Sequence, residues 1–448
     1  MRRVGQLLCG AGAGRSRFAL RTLLLVALFL AGRAVGAEPG AATPAQSGAA
    51  TPAQPGAATA AAGTSAITLS ADFDNGSLGE WQVVGPDTVR FTLTKASGGL
   101  WFHFHIRGVK GRAITFQVPM TRDLTAITAH YYDGRNRPAY SYDRTQWLLA
   151  EPGKVDQAAK SFTFQVRFDQ DEAWVAYCIP YTNDTLQQLL TEYAQSPYLR
   201  VRTLATTAGG RPVHWLTISE KPDQPEEGLR RSVWVVAREN GWEAPASWVA
   251  DGLARLALEQ GAVAERFRQR IILHVIPILT PDAVAGGWFL YPTGPQSQVF
   301  LSAAYDKDFP EVAGVKAAVR DWVGAGRPVD LAVRVLALGW ISTRHEFREE
   351  LFLPQEQVEF DGVADRFHLA VPEANWTKGH VFPGFGLVEY CFRNFNIKGA
   401  TLSVALGARD NSMTRGELQG IGRSLGEVLV NLYTSGAFVP SRPAEGNP

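Results

Sequence analysis

An α/β domain, its sheet covered by helices on both sides and preceded by a smaller all-β segment, is the fold class this sequence predicts. Three observations predict it. Residues 67–183 carry short strand-like runs between turn signals. From residue 184 onward, helical and strand patterns alternate. Within that alternation, SVWVVA at 232–237, IILHVIPI at 271–278 and DLAVRVLAL at 330–338 have the character of strands buried on both faces.

The chain has 448 residues, room for about two or three domains. An apolar share of 46% and 12 tryptophans can fill a sizeable core. The formal net charge of +1 points to neither nucleic acid nor an anionic membrane surface. At the N-terminus Arg2, Arg3, Arg15, Arg17 and Arg21 precede an apolar run at 23–31, and Val35 and Ala37 follow as small residues at a cleavage site. That run is far shorter than the roughly 20 residues a membrane span needs. Residues 1–37 therefore read as a secretory signal. Export to a periplasm or the extracellular space is expected, with no stable membrane span after cleavage; an uncleaved N-terminal anchor is the alternative. Cys9 falls in the signal, while Cys178 and Cys391 lie in apolar runs and read as two buried thiols, a single bridge being the alternative.

In order along the chain, residues 38–66 repeat GAATPAQ and lack aromatic or large aliphatic side chains, the composition of a disordered linker. In the β segment, WFHFHI places Trp101, His103 and His105 on one strand face and Phe102, Phe104 and Ile106 on the other, which suits the core. Two histidines on one face are half a metal site; with no third ligand nearby, a structural or surface role is expected. Residues 184–193 read as a helix and 200–219 as a hairpin around Gly209 and Gly210. The apolar run at 232–237 is the central strand. The helix at 246–258 follows it, with Pro245 in its first turn and Trp248, Val249, Leu253 and Leu256 at helical spacing. Residues 311–323 are amphipathic and 400–406 read as a further strand. The last helix starts at Thr414, where Glu417 completes a capping box, and its core face is Leu418, Ile421, Leu425, Leu429 and Leu432. Residues 437–448 read as a disordered tail. His345 and Glu349, four apart, would share a helix face as a surface ion-pair cluster. His214, His274, His368 and His380 are isolated and read as packed or surface histidines.

Between the central strand and its helix lies ARENGWEAPASW. Ala237, Arg238, Glu243, Pro245, Ser247 and Trp248 fit the pattern A-R-x-H-P-G-E-x-P-S-S-W, and the chain here resembles the zinc metallocarboxypeptidase family in its cytosolic-carboxypeptidase-like branch. FDNGSL at 73–78, LWFHF at 100–104, RPAYSYDRTQW at 137–147 and VAYCIPYTNDTLQQLL at 175–190 carry the same resemblance. It covers roughly residues 70–436. It implies a small antiparallel β-sandwich at 67–183 and a carboxypeptidase-like mixed sheet flanked by helices at 184–436. It also implies a zinc site with a glutamate base and an arginine anchor for the substrate carboxylate.

Carried over position by position, the active-site motifs are degenerate. The first zinc-binding His of the family is Asn240 here, and the later one, in D-L-H-G-H, is Leu338 in LALGW. Glu243 alone remains of the metal ligands. The general-base Glu is replaced by Ser403, in ATLSVAL. In the carboxylate-anchor segment, Pro281, Asp282, Val284 and Gly287 match, but Thr280 and Ala283 depart, Trp288 replaces Asn and Leu290 replaces Arg. A catalytic zinc needs three protein ligands and an open position for water, and Asn and Leu do not supply two of them. Without the metal, water keeps a pKa of about 16. A serine without its own base does not take its proton, and no nucleophile elbow surrounds Ser403. A carboxylate facing Leu290 and Trp288 has no bidentate partner. The expectation is a pseudoenzyme with no cofactor, binding a peptide or an envelope protein in a cleft made apolar by Leu290, Leu338 and Trp288. Two alternatives stay open: an active zinc carboxypeptidase with displaced ligands, and a structural envelope protein that binds through its sandwich. Sequons at Asn75, Asn183 and Asn375 matter only in a glycosylating host.

Overall fold

Strand-forming runs between residues 68 and 176 make ten short strands: β1 (Thr68–Ser70), β2 (Trp81–Gly85), β3 (Thr88–Phe91), β4 (His103–Arg107), β5 (Ala113–Pro119), β6 (Ala139–Ser141), β7 (Trp147–Leu149), β8 (Lys154–Asp156), β9 (Ser161–Arg167) and β10 (Glu172–Ala176). They form two five-stranded sheets, ordered β1-β4-β10-β6-β7 and β2-β3-β5-β9-β8. The period-two pattern dictates the faces. In β5 Ile114, Phe116 and Val118 are fully buried, and they pair across the strands with Val166, Phe164 and Phe162 of β9. Phe104 of β4 meets Phe116 and Phe91 at ring distances of 5.6 and 5.1 Å, so the two sheets close on a phenylalanine core. The pairing is antiparallel throughout except between β3 and β5, which run parallel. The His-bearing face of β4 is covered too, since Trp101 and His103 are each only 2% exposed.

The computed structural model describes residues 66–94, 96, 100–120, 136–156, 158–223, 230–294, 297–337, 346–349, 386–397, 399–404 and 413–434, with backbone alone at 346–349. The expected signal, nearly all of the linker, Leu338, His345, His368, Asn375, His380, the Glu349 side chain and the expected tail lie outside these residues.

Helix α1 (Asn183–Glu192) follows the sandwich, and Thr182 caps it reciprocally with Thr185. Next come the hairpin β11 (Leu199–Thr206) and β12 (Pro212–Ile218), the strand β13 (Arg231–Ala237), and the helices α2 (Ala244–Leu258) and α3 (Ala262–Arg270). The order continues with β14 (Ile271–Ile276), α4 (Pro281–Ala285), the short hairpin β15 (Tyr291–Gly294) and β16 (Ser297–Val299), and α5 (Pro310–Gly324). It ends with β17 (Leu331–Ala337), β18 (Glu346–Glu349), α6 (Gly386–Phe395), β19 (Gly399–Val404) and α7 (Arg415–Thr434). The seven-stranded sheet runs β11-β12-β14-β13-β17-β19-β18. Its inner four strands, β14-β13-β17-β19, are parallel, and β12 and β18 join them antiparallel. Strands β14, β17 and β19 are buried at every position, as their unbroken apolar runs require of a sheet covered on both faces. The segment at 346–349 is an edge strand, so the helical spacing considered for His345 and Glu349 does not apply to it; a short charged run is what a sheet edge tolerates.

One face of the sheet lies under α2 and α7, the other under α5 and α6. The predicted core face of α7 is buried, and Thr414 and Glu417 make the capping box. Gly252 of α2 explains the close crossing with α7: a Cβ there would stand 2.1 Å from the Gln419 carbonyl oxygen. No helix among the described residues is long and apolar enough to cross a membrane.

Candidate functional site

Strand β13 sits between β14 and β17, and the chain leaves it first to one side and then to the other. In an open α/β sheet that reversal leaves a crevice beyond the carboxyl ends of the strands. The turn at 238–243 follows β13 directly into this crevice. The same turn carries the motif residues Arg238, Asn240 and Glu243.

The turn is closed on itself. The Asn240 backbone N–H donates to Glu243 Oε2 at 3.1 Å, and Asn240 Nδ2 donates to Glu243 Oε1 at 3.2 Å. The remaining amide atom, Oδ1, accepts from the Leu301 N–H at 3.3 Å. Glu243 is 1% and Asn240 3% exposed. Burial pushes the Glu243 carboxyl up to about 8, with the charge of Glu239 adding to the rise, while the Asn240 bonds and Arg334 oppose it. Glu243 stands at the N-cap of α2 but makes no side-chain cap bond, because its carboxylate is turned to Asn240.

The matching positions around the turn have structural work. Arg238 is fully buried at φ 57°, and its Nε and Nη1 donate to the carbonyls of Gly241 and Tyr181. Burial lowers its pKa to about 10. Tyr181 in turn donates to Asp251 at 3.1 Å and packs edge-on against Trp248, so the Pro-Tyr-Thr join locks onto α2. Ser247 Oγ donates to the Pro277 carbonyl. Asp282 accepts from the Gly209 N–H and from Arg211, tying the β11–β12 hairpin to α4. Asn75, at φ 71°, donates from Nδ2 to the Val284 carbonyl and accepts from His103 Nδ1, pinning the sandwich to the same helix. Asn183 Nδ2 donates to the Pro281 carbonyl nearby.

The structure brings some of the predicted site residues together. The Trp288 carbonyl packs against the turn, since a Cβ on Gly241 would be 2.3 Å from it. Leu290 is 6% exposed and its N–H donates to Gln298. Ser403 lies in β19, in register with Leu336, one residue before the end of each strand. His103 and His105 are not a metal pair: His103 bonds Asn75 inside an aromatic surround, and His105 bonds Glu172 and stacks on Trp174. His274 is a core histidine that accepts from Trp215 Nε1. Cys178 and Cys391 are buried free thiols.

Zinc does not fit the described residues around the turn. Both oxygens of Glu243 are held by Asn240, and the Asn240 oxygen is held by Leu301. Among the described residues, no group of three or more His, Cys, Asp or Glu is placed to hold a metal ion.

Sequence reasoning missed a buried pair beside the turn, Glu239 and Arg334, at 0% and 5% exposure and 4.0 Å apart. The available signal was an arginine inside the apolar run LAVRVLA, since a buried guanidinium needs a counter-charge.

Comparison with known proteins follows the same lines. Residues 69–178 match the family described as cytosolic carboxypeptidase N-terminal domain. The chain is 28% identical over 222 residues to cytosolic carboxypeptidase 2 of Danio rerio, covering 45% of this chain and 30% of that protein. It is 28% identical over 227 residues to the uncharacterized protein ZMO1242 of Zymomonas mobilis, covering 49% of this chain and 55% of that one. Both matches thus span less than two thirds of the relative's length. In three dimensions it is similar to the metallo-carboxypeptidase of Burkholderia cenocepacia, with TM-score 0.69 and 19% identity over 83% of this chain and 100% of the other. The metallo-carboxypeptidase of Pseudomonas aeruginosa gives TM-score 0.66 and 19% identity over 82% and 98%.

Proposed function

We propose, for a chain with a divergent zinc-carboxypeptidase-like fold and relatives of the cytosolic-carboxypeptidase type, the role of an exported pseudoenzyme that binds a peptide segment or an envelope partner without hydrolysing it. The observation that carries this proposal is the closed pair of Asn240 and Glu243 in the crevice where the family's chemistry takes place. A carboxylate held on both oxygens by one neighbouring residue is a structural group. Leu290 and Ser403, at the anchor and base positions, are an apolar side chain and a hydroxyl in the same role-bearing places. The N-terminal pattern at 1–37 supports export, and the layout that goes with it is a linker at 38–66, a sandwich at 67–183, a carboxypeptidase-like domain at 184–436 and a tail at 437–448.

The test is incubation of the mature protein with unmodified peptides of varied C-terminal residue, read by mass spectrometry with and without a chelator. No shortened peptide is expected under either condition. Release of C-terminal residues that stops with the chelator would overturn the proposal.

A further inference from the structure

Arg334 stands mid-strand in β17, in register with Val236 of β13 and Thr401 of β19. Its neighbours along the strand, Val333 and Val335, are fully buried. A charge in that setting is costly unless an opposite charge accompanies it. Two acids lie at the mouth of the same strands. Glu239 is fully buried with Oε2 4.0 Å from Arg334 Nε, and Glu243 follows four residues later at 1% exposure. The space around Glu239 is shaped to it. Gly386 opens α6 at φ 77°, and a Cβ there would come within 2.7 Å of Glu239 Oε1, so only glycine lets the helix approach the carboxylate. Tyr305 lies alongside, its phenol pushed well up by burial and then by the Glu239 charge.

We propose that Arg334 is the resident cation of this site: its guanidinium supplies from within the chain the positive charge that the buried Glu239 carboxylate requires, beside the turn that matches the family's metal-binding motif. The proposal rests on the reading above that the site takes no zinc. A buried carboxylate without a cation is costly. A divalent ion brought to the turn would meet a fixed guanidinium, and the guanidinium repels it. Glu239 and Arg334 thus form a buried charge pair. Its role in the fold is to tie the turn that follows β13 to the middle of β17.

The experiment is a double-substitution cycle on the full mature chain, read as the urea midpoint of unfolding. Arg334→Met is expected to lower the midpoint, because it leaves the buried Glu239 carboxylate without its cation. Adding Glu239→Gln to it is expected to recover at least about half of that loss, because the uncompensated charge is removed with it. Equal midpoints for wild type and Arg334→Met, or a double variant no more stable than the single one, would overturn the proposal. Should Arg334→Met not yield soluble protein, Arg334→Lys and Arg334→Gln decide between charge and shape. Folding of the lysine variant alone supports the proposal, and any other result overturns it. Zinc content of the wild type reads the pseudoenzyme proposal separately, since the cycle is run without added metal.

Discussion

Replacing Asn240 by Ala removes the side chain that closes the turn and leaves the backbone of the turn in place. The structure sets the size of the effect. The substitution deletes one hydrogen bond to the Glu243 carboxyl and leaves the Leu301 N–H, on a residue with no exposed surface, without its acceptor. The first loss is worth about 1 kcal/mol net, and a stranded buried donor costs roughly 1–3 kcal/mol. The backbone bond from Asn240 to Glu243 survives, so the expected loss is about 3 kcal/mol, on the order of 100-fold in the unfolding constant. Asn240→Asp should cost more than Asn240→Ala, because it brings a third acid to Glu239 and Glu243. Equilibrium urea unfolding followed by tryptophan fluorescence measures both. A loss below about 0.5 kcal/mol for Asn240→Ala, the range of an ordinary surface substitution, would refute the reasoning that Asn240 locks the turn.

Two other predictions concern the sandwich. Burial, with Arg144 adding to it, lowers the His103 pKa to about 3 from its ordinary value of 6.5. The unfolded chain therefore takes up a proton below pH 6.5 that the folded chain refuses until about pH 3. His103 thus contributes stability above pH 6.5 that is lost as the pH falls through this window, about 5 kcal/mol in all. Urea midpoints between pH 7 and 4 should fall, and His103→Gln should flatten the dependence by about one proton; identical slopes would contradict this. Asn75→Gly should lower stability by about 2–4 kcal/mol through the lost bonds to Val284 and His103. Asn75→Ala should lose roughly 1 kcal/mol more, because alanine resists the left-handed backbone at φ 71°. Thermal unfolding of the two variants side by side checks the order.

Much of the fold was legible because buried parallel strands and their helices leave strong local marks. The runs at 232–237, 271–278 and 330–338 became β13, β14 and β17 with ends shifted by one or two residues. The capping box at Thr414 fixed the start of α7. Weakly patterned elements were missed. Helix α3 is mostly polar and charged, and only three of its residues are buried. The stretch at 346–349 gives no period long enough to separate strand from helix. At the site, the turn was visible residue by residue, because it lies in one contiguous motif. The partners that fill the crevice were not. Arg334 is distant in sequence from Glu239, and an isolated arginine announces that it needs a partner without saying which. Leu301, which completes the hold on Asn240, carries no polar side chain and left no trace in the pattern. The tie from Asn75 to Val284 was hidden for the same reason, since its acceptor is a main-chain carbonyl.

Bound metal per chain is the most direct test of the central claim that this crevice is closed to zinc. The mature protein, made without a histidine tag and dialysed against trace zinc, would be weighed by elemental mass spectrometry. Essentially no zinc per chain is the predicted result. A value near one zinc per chain would contradict it and would place the ligands outside the closed pair of Asn240 and Glu243.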